Sequence, residues 1–286
     1  MTISAKQVMD LRAATGMPMM QCKRALESED GDFEKAFDRL KKEGMKALEK
    51  RADKEAKEGL VRVRLTPTAG RATLLAVACE TEPVARTEGF VKFVDTLVEH
   101  VDEKAPEDVA QLLTQPWIAD GGLKVEDALT GLVGQLREKI EIVSFARLEA
   151  PSGGIVGGYQ HHDQKNGAIV ALVSEKDGDG LEAFAKQLCM HIVFSRPTAL
   201  TRDQVPAEAR EREERLLREQ LAEDPKMQGK PDNVVQKILD GKMAAFYKQS
   251  VLTEQEWALP DSDLTVGELL KQHGASVQSF YRAQVG

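Results

Sequence analysis

Cysteine is scarce in this chain of 286 residues: Cys22, Cys79 and Cys189 lie far apart inside apolar runs, with no CxxC pair. An odd, scattered set excludes a disulfide framework and a structural zinc site, and it suits a reducing cytosol. Positive charge is in deficit, 39 Lys and Arg against 47 Asp and Glu, for a net charge of -8. That balance argues against direct nucleic-acid or membrane binding as the main task and favours a basic partner surface. No apolar stretch approaches the ~18 residues of a membrane span, and the opening MTISAKQVMDLRAATG has no signal-peptide core. A cytoplasmic location without an anchor is the expectation. Nucleotide-binding and hydrolase signatures are missing too: GxxxxGK[ST], GxGxxG after a strand, HExxH and GxSxG do not occur.

What is present is 42% hydrophobic and 30% charged, enough for one large domain or a few modest ones with cores of their own. Ser4 starts a first helix, with Val8, Leu11 and Arg12 at helical spacing and Gly16 as its stop. Two further segments repeat the pattern, through Met20, Ala25 and Leu26 and then Phe33, Ala36, Phe37 and Leu40, ending near Gly31 and Gly44. Three short helices over 1–50 make a small bundle, better suited to docking than to housing an active site. Lys46 to Gly59 mixes both signs of charge and reads as a partly helical linker, assigned to 51–59.

From Gly59 the apolar period becomes two: Val61, Val63 and Leu65 alternate with Arg62 and Arg64, a turn falls at Pro67 to Gly70, and LLAVAC returns as a buried strand. Phe90, Phe93, Val94, Leu97, Val98 and Val101 then share one helical face, followed by a helix around Val125 to Lys139 and a strand around Ile140 to Leu148. GAIVALVSEKDGDGLEAFAKQLCMHIV corresponds element by element to ATLLAVACETEPVARTEGFVKFVDTLVEHV. The expected fold is therefore α+β with a pseudo-repeat, an N-subdomain over 60–148 and a C-subdomain over 149–286. Where the first copy has ETEPVART after its strand, the second has the merely polar SEKDGDG, so the first strand-end elbow has acquired a task. Within the second copy, 203–250 is charge-rich, and Val235, Ile238, Leu239, Met243 and Phe246 form one stripe. A protruding antiparallel helical hairpin is the simplest fold for it. The tail LTVGELLKQHGASVQSFYRAQVG adds a helix and a last strand able to close the second sheet.

Chemistry-bearing residues are few. His161 and His162 in YQHHD stand beside Asp163, but neighbours in a hairpin strand point to opposite faces, so a turn is expected rather than a metal site. His191 lies in an apolar helix and reads as a core or interface residue; Cys79 sits in a strand without an activating neighbour. Met17, Met19 and Met20 crowd a helix start, where they either fill the bundle core or offer flexible thioethers to a partner. Binding thus outweighs catalysis. A hydrolase or transferase using Cys79 or the His161/His162 turn is the competing class, and a ubiquitin-like-binding scaffold, resting on the first module alone, is a third.

LRAATGMPMMQCKRALESEDGDFEKAFDRLKKEG together with ACETEPVAR strongly resembles the bacterial elongation factor Ts family, guanine-nucleotide exchange factors for elongation factor Tu. The matching positions of the first block are Leu11, Arg12, Thr15, Gly16, Met19, Met20, Cys22, Lys23, Ala25 and Leu26; GYQHH, MHIVFSRP, GKP and LTVGELLKQHGASV match further on. The resemblance implies an N-terminal three-helix module like a ubiquitin-associated domain, two related core subdomains and a hairpin protruding from the second. It implies elongation factor Tu as partner, no cofactor and no covalent chemistry, with dimerisation or secondary partner contacts as the hairpin's role.

By the same resemblance Leu11, Arg12, Met19, Met20 and Lys23 face the partner's nucleotide-binding domain, and His161 with Trp257, Ala258 and Leu259 its third domain. The elbow, in the family usually Thr-Asp-Phe-Val-Ala, enters beside the partner's magnesium and nucleotide. Here it is Thr81, Glu82, Pro83, Val84 and Ala85. Glu82 keeps the charge on a longer arm. Pro83 replaces an aromatic wedge with a small rigid ring, forgoing much of the roughly 1.5–3 kcal/mol that a buried Phe contributes.

Overall fold

The computed structural model describes residues 3–51, 53–66, 70–174, 180–227 and 230–286, with 47–50 described by backbone alone. The expected turns at Pro67 to Gly70, in SEKDGDG and at the tip of the helical hairpin lie partly outside the described residues. The fold is α+β and divides into two compact units, Met1–Arg147 with Gln160–Gly167 and Ala283–Gly286, and Leu148–Tyr159 with Ala168–Arg282.

The first unit contains α1 (Ala5–Thr15), α2 (Met19–Ser28), α3 (Phe33–Arg51), β1 (Glu58–Thr66), β2 (Arg71–Cys79), α4 (Glu82–Ala85), α5 (Glu88–Lys104), α6 (Val109–Thr114), β3 (Pro116–Trp117), β4 (Asp120–Lys124), α7 (Val125–Leu136) and β5 (Ile140–Glu149). A capping box starts α1: the Gln7 amide donates to Ser4 Oγ at 3.2 Å and the Ser4 amide to Gln7 Oε1 at 3.0 Å. Gly16, left-handed at φ 66°, ends it. Val8, Leu11, Met17, Cys22, Ala25, Leu26, Ala36 and Leu40 close the core of these three helices.

Gly44 is not a helix stop. The third helix runs on to Arg51 and takes up part of what the charge pattern marks as linker. A Cβ at Gly44 would stand 2.6 Å from Thr130 Cγ2, so the glycine lets α3 approach α7. The α7 glycines serve the same contact: side chains at Gly131 and Gly134 would collide with the Thr15 carbonyl and the Met17 thioether. Lys41 and Asp127 close its edge with an ion pair of 2.5 Å.

The sheet order is β1-β2-β5, with β1 and β2 antiparallel from Glu58↔Cys79 to Thr66↔Arg71. As the central strand, β2 is buried from Ala72 to Cys79, which explains its unbroken apolar run. Phe90, Phe93, Val94 and Leu97 of α5 pack with Leu75, Val77 and Val133 in the core. At the far end of the hairpin the buried Asp102 accepts Arg71 Nε (3.0 Å) and Nη2 (2.9 Å) and the hydroxyls of Thr66 and Thr73 (3.0 Å each). Burial raises the Asp102 pKa, but these bonds outweigh it and hold the carboxyl at about 2. Along the open edge of β1, the Val61 amide donates to the Gln164 carbonyl (2.7 Å) and the Val63 amide to Gln160 Oε1 (3.1 Å), which fastens the 160–167 turn.

The second unit is built from β6 (Gly154–Gln160), β7 (Asn166–Ser174), α8 (Leu181–Ser195), α9 (Ala207–Glu223), α10 (Asp232–Ser250), α11 (Val266–Gln272) and β8 (Ala275–Gln284), with sheet order β6-β7-β8. The final strand thus closes the second sheet beside β7. Leu217, Leu221 and Leu239 join α9 to α10, with Val235, Ile238 and Met243 half-buried around them. At the hairpin's base the Thr198 and Ala199 amides both donate to the Ser250 carbonyl, at 2.9 and 3.2 Å.

Each unit carries one and the same side-chain cluster. Phe93 and His100 of α5 stack on Trp117, with His100 Nε2 2.9 Å from Gln115 Oε1. Phe184 and His191 of α8 stack on Trp257, with His191 Nε2 2.9 Å from Gln255 Oε1. The Gln115 carbonyl accepts the first amide of α7, from Val125, and the Gln255 carbonyl the first amide of α11, from Val266, both at 3.0 Å.

Candidate functional site at the strand-end elbow

Three consecutive residues after β2 have three different duties. The Glu80 carboxylate accepts Arg51 Nη1 at 2.7 and 2.8 Å and the Lys139 amide at 2.6 Å. Burial acts to raise its pKa, yet the Lys139 amide and the Arg51 guanidinium together bring it below the usual carboxylate range. Glu80 is therefore a structural clamp between the ends of α3 and β2. Thr81 is extended and donates twice to Glu138, its amide at 3.0 Å and its hydroxyl at 2.6 Å. Glu82 opens α4 and is exposed, as is Pro83.

Proline is tolerated there because amides of a helix's first turn have no intrahelical acceptor to lose. The Ala85 and Arg86 amides close the turn on the Thr81 and Glu82 carbonyls, both at 3.2 Å. Ala85 is buried and Val84 packs partly against the core, so one side of α4 is seated while Glu82 and Pro83 face outward. The Glu82 carboxylate meets Arg86 Nη2 at 2.5 Å, a surface pair of little energetic weight. Cys79, at the strand's end, donates its thiol to the Thr81 carbonyl at 3.3 Å; burial pushes its pKa up to about 12, which is wrong for a thiolate nucleophile.

The candidate residues of the helical module divide by burial. Met19 and Met20 are 46% and 59% exposed, and Arg12 and Lys23 are exposed beside them in sequence. Met17 is buried, so one of the three methionines fills the core and two do not. Leu11, expected at the surface with Met19 and Met20, is instead fully buried among Val8, Cys22 and Leu26 and belongs to the module's core.

His161 and His162 do lie in a turn, but their side chains are not held on opposite faces. Both rings lie together, centroids 4.1 Å apart, because β6 ends at Gln160 and strand alternation stops with it. Among the described residues no group of three or more His, Cys, Asp or Glu could hold a metal. Lys165 in the same turn has a pKa raised first by its hydrogen bond to Glu58 and also by the Glu82 carboxylate, so the elbow and this turn share one electrostatic neighbourhood.

In the second unit Trp257 is buried and donates Nε1–H to Asp261 Oδ1 at 2.7 Å, so it belongs to the core; Ala258 and Leu259 are half-buried. His191 is a satisfied core residue. Its Nδ1 accepts the Ala258 amide at 3.2 Å, which fixes the proton on Nε2, where it is donated to Gln255.

Sequence reasoning missed Glu138 and Arg51. Each reaches the elbow from a distant segment, and no local motif marks either.

The family model described as Elongation factor TS matches residues 80–286. A protein named elongation factor Ts from Thioalkalivibrio sulfidiphilus is 37% identical over 286 residues, covering 100% of this chain and 93% of the relative. Those of Clostridium novyi and Chlorobium phaeobacteroides are 35% and 36% identical, covering 97% and 99% of this chain and 89% and 99% of the relatives. With the helical module, the elbow and both units inside these matches, the chain belongs to the elongation factor Ts family.

Proposed function

We propose that this chain performs the family's guanine-nucleotide exchange in translation elongation by pressing the Thr81–Val84 elbow against the magnesium and nucleotide site of elongation factor Tu. The observation that carries this is the exposed Glu82–Pro83 step on a one-turn helix, mounted at the end of a buried central strand. Magnesium demands near-ideal octahedral coordination, so a small displacement of its ligands loosens the hold on GDP. Exchange factor and GDP then lower each other's affinity by a common factor, and incoming nucleotide expels the factor in turn. No covalent bond changes and no cofactor is needed.

Around the elbow, the helical module resembles a ubiquitin-associated domain and docks on the partner's nucleotide domain through Arg12, Met19, Met20 and Lys23, with Leu11 behind them. The His161 turn and the Trp257–Leu259 segment serve the third domain. The repeated Phe–His–Gln–Trp cluster and the shared sheet order support two duplicated core subdomains, with the α9–α10 hairpin inserted in the second as a dimerisation or secondary contact arm. Stopped-flow release of a fluorescent GDP from elongation factor Tu tests the elbow: Glu82→Ala with Pro83→Gly slows release while circular dichroism stays native. Unchanged release would remove the elbow from the mechanism.

A further inference from the structure

We propose that Glu138 is a positioning residue for nucleotide exchange, holding the elbow in its working orientation through its two hydrogen bonds to Thr81; this rests on the elbow's role proposed above. A helix of four residues cannot hold itself, because nucleation costs more than a single turn returns. Its direction must therefore come from what ties its ends. The rear end is seated by the buried Ala85. At the front, Thr81 occupies the N-cap position without making the usual side-chain cap; its hydroxyl is donated to Glu138 instead.

Glu138 can reach Thr81 because α7 is stopped abruptly. Arg137 is left-handed at φ 57° with its amide on the Val133 carbonyl at 2.8 Å, which turns the next two residues out of the helix axis. The Lys139 amide then meets Glu80 while the Glu138 carboxylate takes both donors of Thr81. The α7–β5 connection thus grips residues 80 and 81 in succession. Losing Glu138 would leave the Thr81 amide and hydroxyl without this acceptor, one residue before the groups that enter the partner, and would free α4 to swivel. Docking surfaces on the helical module would be untouched.

The effect is read as a split between two kinetic quantities. Glu138→Ala is expected to lower the maximal rate of factor-stimulated GDP release about 10-fold or more, while the half-saturating factor concentration changes less than about threefold. Glu138→Gln keeps an oxygen for the Thr81 amide, and the Thr81 hydroxyl can rotate to accept from its NH2, so most of the rate should return. Thr81→Val, which deletes only the hydroxyl, should slow release by a smaller factor and keeps the test alive if Glu138→Ala folds poorly. In the Glu82→Ala, Pro83→Gly background, Glu138→Ala should slow release no further. Normal release by Glu138→Ala, with Glu82→Ala, Pro83→Gly slow, overturns the role of Glu138 and leaves the elbow standing. If that double variant is itself unimpaired, both fall. Equal loss in the Gln and Ala variants, with a matching drop in melting temperature, also overturns positioning in favour of plain structural support.

Discussion

The imidazole of His191 lies on the indole of Trp257, ring centroids 5.2 Å apart and planes 9° from parallel. Burial holds its pKa below the ordinary histidine value, although the bond to Gln255 pulls the other way. His100 in the first unit is shifted downward for the same cause. The unfolded chain takes up these protons as pH falls past about 6.5, whereas the folded chain resists. The stability they contribute is therefore complete above that pH and is lost as pH drops through the folded values. Urea midpoints should fall between pH 7.5 and pH 5, and His191→Phe should remove part of that slope.

Asp102 gives a second, separate acid transition. Its pKa near 2 lies below the ordinary aspartate value, so its contribution is present above about pH 4 and disappears as pH falls towards 2. Asp102→Ala removes the buried acceptor shared by Arg71, Thr66 and Thr73 and should cost about 3–5 kcal/mol at neutral pH, measured by denaturant unfolding.

Burial separates the helical module's exposed methionines from the leucine that fills its core. Met19→Ala with Met20→Ala should weaken binding to elongation factor Tu by calorimetry, by about 10-fold or more, with little change in melting temperature. Leu11→Ala should do the reverse in solution, destabilising the module by about 2–5 kcal/mol before any partner is added.

Pro83→Phe should increase the maximal GDP-release rate, because it supplies an apolar wedge at a position already exposed. Melting temperature should hardly change. A slower rate would mean that the rigid ring, rather than the missing aromatic, suits this partner.

The glycine contact between the helical module and α7 is equally direct to test. Gly131→Val forces a side chain into the Thr15 carbonyl and should cost about 1–3 kcal/mol, seen as earlier loss of protection in α1–α3 by hydrogen exchange.

Much of this was legible in the sequence because it is written locally. Ser4, Gly16 and the apolar spacing of the first forty residues mark α1 and α2 well, and period-two alternation marks β1. What escaped was set by contacts distant in sequence. Gly44 looks like a terminator until Thr130 is seen against it, and Glu80 looks like part of a presented acidic tip until Arg51 and Lys139 claim it. Leu11 falls within the matching motif, but a motif does not distinguish a residue that touches a partner from one that holds up its neighbour. At the His161 turn, strand alternation ends with β6 at Gln160, so period two does not place the two imidazoles on opposite faces.

The Gln partner of His100 is 15 residues away along the chain, while that of His191 is 64 away. Closing the longer segment as a free loop would cost only about 1.3 kcal/mol more, and the bonds of the Thr198 and Ala199 amides to Ser250 remove most of even that by pinching the branch at its root. The last turn of α10 is tied to the aromatic stack, because the Gln249 carbonyl accepts Gln255 Nε2 at 2.6 Å, but farther out along the arm, length could change without disturbing the stack, which makes that outer part the place for an engineer to graft a tag.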